Sequence, residues 1–119
     1  MTKQINIQFQ GDLGFLKLPD NFKLPKGFIE LQKEEKGLVL AYGEVSGHAH
    51  AIRTPTAQVF INPNSEKSIT GYDEVYIHCT QPTFVYHEEH EPILLPLGWS
   101  VKWQQKEYSF EEEYRVVTD

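Results

Sequence analysis

The sequence predicts an all-β, mainly antiparallel fold: a small β-barrel or sandwich of about eight short strands with a short C-terminal helix. Three observations carry this. Val, Ile, Phe, Tyr and Trp are well represented while Ala is scarce, a balance that fits half-buried pleated surfaces better than helices. Apolar and polar residues alternate with period two in several runs. Between the runs stand clusters of Gly, Pro, Asn and Asp, residues that set turn geometry. The 119 residues fit one domain, 1–119, and by the usual scaling bury roughly two thirds of the unfolded surface.

In order along the chain, Ile5, Ile7 and Phe9 alternate with polar residues as a half-buried strand that ends at Gly11-Asp12. Leu13 to Leu18 is a second short run, closed by Pro19-Asp20-Asn21. A strand from Phe28 to Gln32 follows the turn Leu24-Pro25-Lys26-Gly27, and Lys33 to Gly37 reads as a solvated loop. Leu38 to Tyr42 is apolar on both faces, as a central strand is. Gln58 to Ile61 is closed by Asn62-Pro63-Asn64-Ser65. Glu74 to Thr80 sets Val75, Ile77 and Cys79 on one face and Tyr76, His78 and Thr80 on the other. Runs at Thr83 to His87 and Ile93 to Leu95 lead to a last strand, Ser100 to Glu107, with Val101 and Trp103 on one face. Leu-Pro-x-Gly-aromatic occurs at Leu24–Phe28 and again at Leu95–Trp99, two corners with the same turn chemistry. Ser109-Phe110-Glu111-Glu112 matches a capping box, so a helix is expected over Phe110 to Val117.

Charge and cysteine narrow the function classes. A net charge of −6 with scattered basic residues works against a phosphate-backbone partner, and no nucleic acid is expected. The start of the chain lacks the apolar core of a signal peptide, and no apolar run approaches the roughly 18 residues of a membrane span. A cytoplasmic protein that uses no membrane is therefore expected. The single cysteine, Cys79, excludes an internal disulfide and reads as a buried thiol.

The histidines are the distinctive feature. Four of the five fall in two tight pairs, His48 and His50 in Gly47-His48-Ala49-His50, and His87 and His90 in Tyr86-His87-Glu88-Glu89-His90-Glu91-Pro92. In an extended segment His48 and His50 project from one face, about 6.6 Å apart at Cα, as two ligands on one ion would. Gly47 permits a bulge that aims them. His87 and His90 are three apart, so they share an ion only if Glu88-Glu89 turns. Neutral imidazoles, with Glu44, Glu88, Glu89 or Glu91 as carboxylate or supporting partner, suit Zn, Fe, Mn, Ni or Cu. The carboxylates beside the second pair are expected to raise the pKa of the free imidazoles. His78, mid-strand and alone, reads as structural. No phosphate loop and no nucleophile signature is present.

Gln10-Gly11-Asp12, Gly43 to His50, His87 to Ile93 with Leu95-Pro96-Leu97-Gly98, and Gln105 to Tyr108 resemble a family of small uncharacterised bacterial and phage proteins whose most specific motifs are Gly-His-x-His and His-x-Glu-His. That resemblance brings no assigned activity. The His-x-His also resembles the first motif of the cupins, but Ala51 to Pro55 lacks the Glu of that motif, and Pro96-Leu97-Gly98 follows the second His pair instead of preceding it.

Two functions fit. One is a metal-binding module with an accessory or protein-interaction role, working with a protein partner or as a homo-oligomer. The other is a cupin-like metalloenzyme whose ion acts as Lewis acid or activates water or oxygen.

Overall fold

Alternating runs build most of one large sheet. The structure, a computed structural model, describes residues 7–43, 47–64, 67–68, 71–72 and 74–104. Its strands in chain order are β1 (Ile7–Gln10), β2 (Leu13–Lys17), β3 (Ile29–Glu30), β4 (Leu38–Tyr42), β5 (Ala49–Ile52) and β6 (Ala57–Ile61), then β7 (Lys67–Ser68), β8 (Gly71–Tyr72), β9 (Glu74–Cys79), β10 (Thr83–Val85), β11 (Ile93–Leu95) and β12 (Gly98–Gln104). Every pairing among them is antiparallel. No helix occurs among the described residues. The expected helix over 110–117, the final motif Gln105 to Tyr108 and Glu44 lie outside them.

Six strands form the large sheet in the order β1-β2-β12-β9-β6-β3, and three hairpins, β4–β5, β7–β8 and β10–β11, stand apart from it. With β1 and β3 at its edges, the sheet is open and does not close into a barrel among the described residues. The β1–β2 connection is the two-residue turn Gly11-Asp12, with Gly11 at φ +60° as a tight hairpin of this kind requires. Gly27 and Gly98, in the two Leu-Pro-x-Gly corners, likewise sit at φ +94° and +102°.

One face of the sheet is the core. Leu13 and Phe15 of β2, Val59 of β6 and Val75, Ile77 and Cys79 of β9 are all buried. Hairpin residues Leu40, Ile52, Val85 and Leu95 complete the same apolar cluster. Each such side chain, fully buried, stabilises by roughly 1.5–3 kcal/mol, and truncating Phe15 to Ala would cost about 3–5 kcal/mol. Hairpins β4–β5 and β10–β11 cover this face and are joined by a bridge in which Ala51 and Tyr86 each donate an N–H to the other's carbonyl at 2.9 Å. The β10–β11 hairpin also reaches β1, where Gln8 Nε2 donates to the Leu94 carbonyl at 2.7 Å.

Several expectations change in detail. Leu38–Tyr42 is not a central strand: among the described residues it pairs only with β5, and it owes its burial to lying over the large sheet. Of the run from Phe28 to Gln32, Ile29–Glu30 forms the strand paired with β6, and the Leu31 N–H adds a bond to the Val59 carbonyl at 2.7 Å. A register irregularity lies on the strand that pairs with β5, between Val39 and Ala41, so that Leu40 is the extra residue. On β12 the residues turned into the protein are Ser100 and Lys102, both buried, while Trp99 and Trp103 share the opposite face. There Trp103 lies across Gly14, where a Cβ would stand 2.4 Å from its ring, and Trp99 packs with Phe22, Phe60 and His78 at centroid distances of 5.3, 5.6 and 4.8 Å. His78 is thus part of an aromatic group on the outer face, as its place opposite Ile77 suggested.

Candidate functional site

The two histidine pairs reach one place because two hairpins carry them there. After β4, Gly43 donates its N–H to the His48 carbonyl at 2.8 Å, and Gly47 takes φ +87°, so the chain turns and enters β5 with His48 just ahead of the strand and His50 within it. The second pair follows Tyr86, the residue bridged to Ala51. Here the chain bends over residues 88–90 because His87 Nδ1 accepts the backbone N–H of Glu89 at 3.0 Å and of His90 at 3.3 Å. That bend is what lets histidines three apart face one another.

The imidazoles are close. Ring centroids are 4.3 Å apart for His50–His87, 4.6 Å for His87–His90, 5.6 Å for His48–His87 and 6.1 Å for His50–His90. An ion bonded to two imidazoles at about 2.1 Å, with ligand angles of about 90–110°, holds their centroids roughly 4.5–5.3 Å apart, so the spacing is of the right size for shared ligation. The tightest set of ligand atoms among the described residues is His48, His87 and Glu88, all within 4.8 Å of one another. His50 and His90 flank that set.

The acidic residues divide. Glu88 is fixed: Oε1 accepts the Ala49 N–H at 2.7 Å, and Oε2 pairs with Lys36 at 3.2 Å. The Ala49 N–H, more than Lys36, holds its carboxyl down to about 2, so it is ionised at neutral pH. Glu89 is largely exposed, with an oxygen 3.6 Å from His48 Nδ1. Glu91 contributes its backbone carbonyl, which accepts from Gln10.

Glu88 and Glu89 do pull the His87 pKa upward, as expected, but they do not set its net direction, and His50 is lowered as well. Burial, then the neighbouring His87, pushes His50 down to about 4, with Asp12 opposing. Burial and His90 lower His87 too, against the pull of Glu88 and Glu89. Desolvation of the charged ring and repulsion between would-be imidazolium ions outweigh carboxylates that mostly face water.

Three contributors were not assigned roles from sequence. Gln10 donates Nε2 to the carbonyls of Val85 and Glu91, each at 2.9 Å, and its Oε1 lies 2.8 Å from His50 Nδ1. Gly11 faces His90 so closely that a Cβ would stand 2.7 Å from Nε2. Lys102, fully buried, lies near enough to His50 to disfavour its protonation. Gln10 and Gly11 sit in a motif already noted, but only the topology, which lays β1 beside β11, brings them to the histidines.

A family described as a domain of unknown function, DUF8820, matches residues 9–105. The chain belongs to the DUF8820 family. The matched span includes Gln10, Gly11, both His pairs and Lys102, so the whole cluster lies within the DUF8820 domain. No match was found among curated proteins or among solved structures. No helix among the described residues is long and apolar enough to cross a membrane.

Proposed function

We propose that this DUF8820 protein is a small metal-binding module in which His48, His50, His87 and His90, with Glu88 as carboxylate, hold one first-row divalent ion, and that it serves as an accessory or interaction component. One observation carries the reading: imidazoles from segments far apart in sequence lie 4.3–6.1 Å apart at their centroids. Imidazole nitrogens with one carboxylate favour Zn, Fe(II), Ni or Cu(II) over Mg or Ca, which prefer all-oxygen shells. The architecture that goes with this reading is a sandwich, its second layer made of β4–β5 and β10–β11 joined at Ala51 and Tyr86.

The ring of His87 sets the terms of binding. Its Nδ1 is an acceptor for two amides, so a neutral His87 carries its proton on Nε2. An ion on Nε2 needs that proton moved to Nδ1, and the bend at 88–90 must then release the two amides. Metal loading is therefore coupled to the conformation of this bend.

Elemental analysis of the protein purified without an affinity tag, followed by zinc titration of chelator-treated protein, tests the proposal. About one ion per chain, lost in the His48→Ala/His90→Ala variant, is expected. Absence of bound metal together with no zinc binding at micromolar concentration would end it.

A further inference from the structure

We infer that Gln10 is the positioning residue of the cluster: it locks His50 with its proton on Nδ1 and leaves the Nε2 lone pair free for a ligand. The inference rests on the metal-binding reading for what that lone pair is used for, but not for the tautomer itself.

The Gln10 side chain is buried, and its amide group lies among three partners, the carbonyls of Val85 and Glu91 and the ring nitrogen of His50. A carbonyl oxygen only accepts, so the atom facing two of them is the NH₂, which has two protons to give. With the amide turned the other way, Oε1 would face two carbonyl oxygens inside the protein, leaving three acceptors without a proton among them. Oε1 therefore faces His50. An oxygen that only accepts requires a donor at 2.8 Å, and His50 Nδ1 must carry its proton.

The remaining nitrogen, Nε2, then has an open lone pair. The ring stacks beside His90 and tilts against His87, so that lone pair belongs to an imidazole already placed in the cluster. A metal-binding histidine held this way, with its other N–H given to a fixed oxygen, is oriented before the ion arrives. His50 and His87 are thus in opposite states, one presenting a lone pair at Nε2 and the other a proton. The difference follows from what each Nδ1 meets: a side-chain oxygen for His50, two backbone amides for His87. Gln10 also ties β1 to the segment after β10 through the same amide, so the bonds that orient His50 also fix the approach of the second His pair.

Long-range proton–nitrogen NMR on histidine-labelled, metal-free protein at pH 7.5 reads the tautomer directly. Expected is a protonated Nδ1 and an unprotonated Nε2 for His50 in the wild type, a shift toward the Nε2–H form in Gln10→Met, and zinc affinity about 10–100-fold weaker in that variant. In zinc-loaded wild type the His50 Nε2 resonance should move while Nδ1 keeps its proton. A wild-type His50 protonated on Nε2 would overturn the inference, and this reading needs no variant to fold. An Nδ1–H tautomer retained in a folded Gln10→Met protein would also overturn it, since Gln10 would then not be its cause. The expected tautomers with no zinc binding in wild type would uphold Gln10 as the positioning residue and overturn the metal reading alone.

Discussion

Lys102 Nζ donates to the Leu40 carbonyl at 3.3 Å, where β4 slips register against β5. A fully buried cation is thus set against the extra residue of the hairpin that carries His48 and His50. Removing its charge while keeping its volume should release part of the restraint on His50. In Lys102→Met the His50 pKa is expected to rise, at a cost of about 1–3 kcal/mol for the Leu40 carbonyl left without its donor, whereas Lys102→Ala, which also leaves a cavity, should cost more. NMR titration of His50 checks the first point and urea unfolding the second. An unmoved or lower His50 pKa in Lys102→Met would contradict the electrostatic link.

Stability of the metal-free protein should fall on mild acidification. His50 titrates near 4 when folded against an ordinary value of 6.5, so between those limits the unfolded chain binds the extra proton. Stability is full above about pH 6.5, declines as the pH drops toward 4, and loses on the order of 3 kcal/mol at most from this group. Glu88, held near 2 against 4.5, adds a second loss only below about pH 4.5. Urea midpoints from pH 7.5 to 4 should show the first decline in wild type and a flatter profile in His50→Gln. Equal slopes in the two would mean that His50 is not the titrating group.

Two glycines separate backbone strain from crowding. Gly11 and Gly27 both have positive φ, but a Cβ at Gly11 meets His90 Nε2 at 2.7 Å, while at Gly27 it meets nothing within 4 Å. Both Ala variants should lose about 1 kcal/mol from conformation. Only Gly11→Ala should lose more than that and weaken zinc binding, because His90 must move. Matched stability and zinc affinity in the two variants would show that the contact with His90 does not matter.

Chelator should lower the melting temperature of metal-loaded wild type. A free ion at 100 times its Kd adds about 2.7 kcal/mol to the folded state, which shifts Tm by several degrees in a chain of this size. His48→Ala/His90→Ala should melt at one temperature with or without chelator. A wild type equally indifferent, though demonstrably loaded with metal, would mean that the ion binds the unfolded chain as well as the folded one, and would rule out a structural ion.

The large sheet was legible where alternation alone decides burial. Val75, Ile77 and Cys79 read as an inward face and are one. On β12 alternation set Val101 and Trp103 on one face, as they are, but could not say that this face is the outer one, because Trp99 and Trp103 find cover there from Gly14 and the aromatic group around Phe22, which are distant in sequence. Leu38–Tyr42 misled because burial by an overlying layer looks the same in sequence as burial within a sheet. At the site, the convergence of the His pairs was readable from spacing and turn residues. The orientation of each ring was not, since it depends on Gln10 for one and on the amides of Glu89 and His90 for the other.

The bridge between Ala51 and Tyr86 has a consequence for exchange with solvent. His48 and His50 ride on one hairpin and His87 and His90 follow a strand of another, and among the described residues the backbone joins the two there through a single reciprocal pair of bonds. Such a junction opens more readily than the continuous ladders of β9 with β6 and β12, so the Ala51 and Tyr86 amides should exchange deuterium faster than that of Ile77. An ion held by both hairpins would act as a clasp across this seam, slowing those two amides while leaving the centre of the sheet unchanged.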